Sequence, residues 1–239
     1  MRRCTHFHAL AELLHAFRAL AHLDLSQNTL SQHGVQRLAA HIHTAAALSS
    51  LSLARCVQAN YTHSLAAGLG QCTRLERLSL NYDSIGDFEV PHYARHLQLC
   101  RLVHVDLRGN GVATSGAHAL AASLQFYTCL THLLLPYNHI GFVGAAALLD
   151  NSARCPTLTS LDLSNNVLGR MRTGRLHPAL HRYQILHGRS VTDGFEAMHA
   201  ATARCTALHS LDLGYNHITE PEMHSLLDAW GPRTGLSLL

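Results

Sequence analysis

One spacing constrains this chain more than any other feature. The pattern L-x-x-L-x-L-x-x-N-x-L returns at nearly constant intervals along the 239 residues. It is clearest at Leu20, Leu23, Leu25, Asn28 and Leu30, and again at Leu102, Val105, Leu107, Asn110 and Val112. Further copies start at Leu130 (to Asn138 and Ile140), Leu158 (to Asn166 and Leu168) and Leu208 (to Asn216 and Ile218). Two weaker copies fill the gap: Leu48, Leu51 and Leu53 with Cys56 at the Asn position, and Leu75, Leu78 and Leu80 with Asp83 there. Starts at 20, 48, 75, 102, 130 and 158 are 27 or 28 apart, and the seventh, at 208, follows after 50. A unit this short cannot bury an apolar face alone, so copies in register predict a stack of units sharing one continuous core.

Each unit reads as a short strand, a turn and a helix. Leucines two apart put their side chains on one face of a strand. A Gly follows the Asn in several copies (Gly34, Gly116, Gly144, Gly194), and then a run with helical spacing, such as Leu120 and Leu124. Small residues, among them Ala119, Ala121, Ala145 and Ala147, let neighbouring helices crowd together. The Asn side chain is suited to bonding backbone groups where the strand ladder stops. Cys72, Cys100, Cys129, Cys155 and Cys205 each stand one to three residues before the next first Leu, which places them at the buried return from helix to strand. With seven Cys in all and no C-x-x-C pair, they read as reduced packing thiols in a reducing compartment.

These motifs resemble the leucine-rich repeats of the ribonuclease-inhibitor type, over about residues 10 to 239. The resemblance implies an α/β solenoid, a horseshoe with a parallel sheet on the concave face and helices on the convex face. It makes residues 1–239 one domain of about seven repeats. It also sends the residues between the leucines into the concavity, where equivalent positions form rows. One row reads His22, Ser50, Arg77, His104, His132, Ser160, Ser210, and the next Asp24, Ser52, Ser79, Asp106, Leu134, Asp162, Asp212. In the middle repeats Arg77, His104, His132 and Arg108 make a basic, partly titratable strip with Tyr82 and Tyr137 alongside. Tyr and Arg combine contact area with hydrogen bonding and are favoured in binding hot spots.

Residues 169–190 break the period. They carry Arg170, Arg172, Arg175, Arg182 and Arg189, with no acidic residue. Guanidinium groups without compensating charge attract acidic surfaces and pair with carboxylates. His177 and His181 lie one helical turn apart, but no third ligand accompanies them, so no metal is expected.

Composition excludes several classes. At 47% apolar and 14% charged the chain is not a disordered one. A net charge of +3, with no aromatic interleaving of the Arg cluster, does not indicate a nucleic-acid partner. Nowhere do 18 apolar residues run uninterrupted, so no membrane span is expected. The opening MRRCTHFHALAELLHAF is broken by His and Glu; it is a poor secretory signal, and Leu10 to Phe17 read as an amphipathic cap on the stack. Phosphate loops, nucleophile elbows and H-E-x-x-H are all absent.

The expectation is therefore a non-enzymatic interaction module without cofactor. It binds a protein partner with an acidic surface through the concave face and the Arg-rich insertion, as part of a larger complex. A narrower expectation is a cytoplasmic, cytoskeletal scaffold, since repeat proteins similar in fold occur in the dynein regulatory complex of motile cilia. The alternative is GTPase activation. Thr173-Gly174-Arg175 followed by Ala179-Leu180 resembles the arginine-bearing loop of Ran GTPase-activating proteins, with Arg175 as the finger. In that family the Arg stands near the start of the solenoid, whereas Arg175 stands near the end of this one.

Overall fold

Three residues of each motif form a strand. In the computed structural model, which describes residues 13–57, 62–168 and 191–239, these are β1 (His22–Asp24), β2 (Ser50–Ser52), β3 (Arg77–Ser79), β4 (His104–Asp106), β5 (His132–Leu134), β6 (Ser160–Asp162) and β7 (Ser210–Asp212). A last strand, β8 (Leu236–Ser237), uses the G-L-S-L-L segment. All eight pair in parallel, in chain order, in one sheet. The central residues Leu51, Leu78, Val105, Leu133, Leu161 and Leu211 face one another across the ladder and are buried.

The helices are α1 (Gln32–His41), α2 (Thr62–Leu69), α3 (Gly86–Leu97), α4 (Thr114–Ser123), α5 (Gly141–Ser152), α6 (Val191–Arg204) and α7 (Glu220–Trp230) among the described residues. Each packs on its sequence neighbours. Strands step by about 4.8 Å whereas helices are about 10 Å across, so the strand side of such a stack is the concave one. Glycine keeps the helix step small. A Cβ at Gly68 would stand 2.2 Å from the Ala39 carbonyl oxygen, and one at Gly144 3.0 Å from Ala117 Cβ.

The Asn positions form a buried ladder. Asn138 Oδ1 accepts from the N–H groups of Asn110 and Val112, both at 3.0 Å, while its Nδ2 donates to the carbonyls of Leu107 and Leu135. Asn110 does the same one repeat earlier, with Asp83 and Ile85 as donors and Leu80 and Leu107 as acceptors. Asn166 and Asn216 continue the series. Each of these four Asn thus joins two turns, satisfying buried backbone groups, whereas Asn28 bonds only to its own turn.

The two irregular positions are instructive. At Cys56 the thiol donates to the Leu25 carbonyl and burial raises its pKa to about 11. At Asp83 Oδ1 accepts from the N–H groups of Cys56 and Val57 at 2.7 and 2.8 Å. Oδ2 is buried without a hydrogen-bond partner, and desolvation pushes the carboxyl up to about 7. Protonated, Oδ2 is a donor, the role that Nδ2 fills in the Asn copies and the thiol at Cys56.

The cysteine column has a similar logic. The Cys100 thiol donates to the carbonyl of Leu69, the last residue of α2, and Cys155 to that of Tyr127. Cys129 departs from the expected burial and is half-buried.

The long interval between the sixth and seventh motifs leaves the sheet undisturbed. β6 and β7 pair as Ser160↔Ser210 and Leu161↔Leu211, the register of every other pair. Behind them Phe142 of α5 meets Phe195 of α6 edge to face, with ring centroids 5.4 Å apart. Residues 10–12 of the expected N-terminal cap lie outside the described residues. Over Leu14–Ala16 the chain is a 3-10 turn with Leu14 buried, rather than an α-helix. At the other end Arg233 is the anchor. Its Nε donates to the Trp230 carbonyl, its terminal nitrogens to those of Cys205 and Thr202, and its guanidinium lies 4.0 Å from the Trp230 ring centroid.

Candidate protein-binding surface

The turn that follows each strand imposes a left-handed residue at the same position in every repeat: Gln27, Arg55, Tyr82, Gly109, Tyr137, Asn165 and Tyr215, with φ from 55° to 65°. Every repeat needs this conformation to leave the sheet, so the strain is architectural. The residue chosen at each site is not. A bulky side chain at positive φ is uncommon, yet three of the seven are Tyr, all exposed, with Tyr215 at 74% the most open.

The glycine in this row has a steric reason. A Cβ at Gly109 would fall 2.3 Å from Cδ1 and Cε1 of Tyr82, so the Tyr82 ring rests against the Gly109 backbone. From the β2 side, the Arg55 guanidinium carbon stands 4.8 Å from the Tyr82 ring centroid. A cation–π contact at an exposed site contributes about 0.5–1 kcal/mol. Tyr82 is thus held along the rim of the sheet.

On the floor beside it Arg108 is held as well. Its Nε donates to both oxygens of Asp106 at 2.9 Å, and Asn81 Nδ2 donates to Asp106 Oδ2. The hydrogen bond to Asp106 raises the Arg108 pKa further. Asp106 is buried and reads as the group that fixes Arg108 in place. His104 and His132 stand side by side on β4 and β5, ring centroids 5.6 Å apart, and the His132 ring nitrogen Nδ1 meets Thr131 Oγ1 at 2.7 Å. Burial, then the neighbouring His132, holds His104 below the usual imidazole value. Arg77 is exposed on β3, next to His104 in the ladder.

The structure therefore sets Arg77, His104 and His132 on adjacent strands, with Tyr82 and Arg108 in the turns that leave the first two, and places Tyr137 on the rim of the next repeat. Arg170, Arg172, Arg175 and Arg182 lie outside the described residues. Two groups escaped the sequence-based choice of site residues. Arg55 shares the Tyr82 row, and that shared position was the available signal for their contact. Asp106 stood in a row that reads as polar filler. Among the described residues no group of His, Cys, Asp or Glu is arranged to hold a metal ion, and no helix is long and apolar enough to cross a membrane.

A family model described as "Leucine Rich repeat" matches residues 98–121, 154–169 and 204–221. The Tonsoku-like protein of Mus musculus is 31% identical over 160 residues, covering 63% of this chain and 12% of its own length. That of Bos taurus is 30% identical over 254 residues, covering 96% of this chain and 18% of its own. The chain thus spans less than a fifth of the length of these two relatives. A solved structure, "Crystal structure of TLR13-ssRNA13 complex", aligns with 21% identity and a TM-score of 0.46, over 64% of this chain and 20% of that one.

Proposed function

We propose, from the premise that this chain is a leucine-rich repeat protein, that it is a non-enzymatic module that docks a protein partner in its concavity. The observation that carries the reading is the fixed Arg–Tyr group. Arg55, Tyr82 and Gly109 are packed in a row, and Arg108 is tied to Asp106 beside them. Side chains held before binding lose little freedom on docking, which favours affinity. The partner surface that suits them is acidic, and the five Arg of residues 169–190 add a second attraction of the same sign.

The test is affinity capture with the full chain. Arg77, Tyr82, Arg108 and Tyr137 changed together to Ala should lose a partner that a convex-face control, His118→Ala, retains. Both variants must keep the wild-type circular dichroism spectrum. Equal capture by the fourfold variant would remove the concave surface from the account. The second reading, GTPase activation, rests on Arg175 alone; equal GTP hydrolysis rates for a target GTPase with wild type and Arg175→Ala would end it.

A further inference from the structure

The charges on the concave wall are sorted along its length. Repeats two, three and four contribute Arg55, Arg77 and Arg108, together with one carboxylate, Asp106, which is buried and paired with Arg108. Repeat five offers His132, Leu134, Pro136 and Tyr137, with no fixed charge. Repeats six and seven contribute Asp162 and Asp212, with no cation at their other concave positions. Asp24, on the first strand, lies outside the basic block.

The two aspartates are direct partners across the β6–β7 ladder. Like charges placed opposite each other in a sheet repel. Each is oriented by its own turn: Asp162 Oδ1 accepts from the N–H and hydroxyl of Ser164, and Asp212 Oδ1 accepts from the N–H of Gly214. Neither makes an ion pair among the described residues. The exposed rings of Tyr137 and Tyr215 stand on the rim of the repeats around them. A cation from a partner relieves the repulsion.

We infer that the concave wall takes an extended segment of a protein partner with its charges in blocks, carboxylates over repeats two to four and a lysine or arginine over Asp162 and Asp212. This rests on the concave wall being the docking surface, and it adds the partner's charge order. Spacing follows from the ladder. From β4, which leads to Arg108, to β6 is two strand intervals, about 10 Å, and from β3 to β7 is four, about 19 Å. At about 3.3 Å per extended residue, the acidic and basic groups of the segment are three to six residues apart.

Fluorescence anisotropy at low ionic strength with the full chain tests this. Three labelled peptides are compared: Glu-Glu-Glu-Ser-Ser-Lys-Lys, its isomer Glu-Lys-Ser-Glu-Lys-Ser-Glu, and the all-acidic Glu-Glu-Glu-Ser-Ser-Glu-Glu. The block peptide should bind roughly five- to tenfold tighter than either of the others, the size expected of a few exposed ion pairs. In the double variant Asp162→Asn, Asp212→Asn the side-chain carbonyl still accepts the turn bonds but the charge is gone. There the all-acidic peptide should equal or overtake the block peptide. Equal binding of the block peptide and its isomer, or an unchanged ranking in the Asn variant, overturns the charge order. If no peptide is ranked yet the fourfold Ala variant still loses the captured partner, the charge order falls and the docking surface stands. If that variant keeps its partner, both fall.

Discussion

Replacing Asp83 by Asn should stabilise the solenoid, and by an amount that depends on pH. In the wild type the Oδ2 atom is buried and unpartnered, and the carboxyl titrates near 7 against 3.8 for the free group. The folded chain therefore holds a proton that the unfolded chain releases between about pH 4 and pH 7. Stability falls with rising pH across that window and is constant with respect to this group above it. About three pK units at 1.36 kcal/mol each give about 4 kcal/mol as the upper bound on what the ionised carboxylate costs at pH 8. The Asn side chain keeps the acceptor for the N–H groups of Cys56 and Val57 and supplies the donor that Asn110 and Asn138 use on their own turns, to Leu107 and Leu135. We expect Asp83→Asn to gain about 2–4 kcal/mol at pH 8 and under about 1 kcal/mol at pH 4, where the acid is already a donor. Urea unfolding of both proteins at the two pH values measures this. The difference between the proteins isolates residue 83 from every group common to both. A gain that is the same at pH 4 and pH 8, or a loss at pH 8, would refute the reasoning.

Two further outcomes follow from the packing. Asp87 of α3 reaches into the next repeat, where Oδ1 accepts from the N–H groups of Ala113 and Gly116 and Oδ2 from the Ser115 hydroxyl, so it caps α4 in place of Ala113. Asp87→Ala should cost about 1–2 kcal/mol and speed amide exchange at residues 113–116 while leaving α7 protected. Arg233→Ala removes three carbonyl contacts and the cover of Trp230, for about 1–3 kcal/mol. Trp230 is the sole tryptophan in the chain, so its emission should shift to the red before the far-ultraviolet circular dichroism changes.

The solenoid was legible because its determinants are local and repeated. A Leu or Val at each central strand position, and an Asn after five of the seven strands, state the fold again and again, and the irregular Cys56 and Asp83 keep the same register. The rows of the concave face follow from that register by counting. What counting does not deliver is the direction a side chain takes across a row. Arg55 reaching over Tyr82, Tyr82 lying against Gly109, and Asp106 gripping Arg108 each depend on rotamers and on one missing Cβ. The change of helix type at Leu14–Ala16 and the half-exposure of Cys129 belong to the same class, since both are set by neighbours that no periodic pattern names.

The unbroken register between β6 and β7 has a consequence for anyone wishing to alter this protein. The stack meets on both sides of residues 169–190 with the pairing of every other strand pair, and Phe142 packs on Phe195 behind it, so the register of the described strands is kept across the longest interval. That point is a natural seam. A reporter, a crosslinking handle or a foreign recognition sequence spliced there would ride on the scaffold without asking its leucines to move.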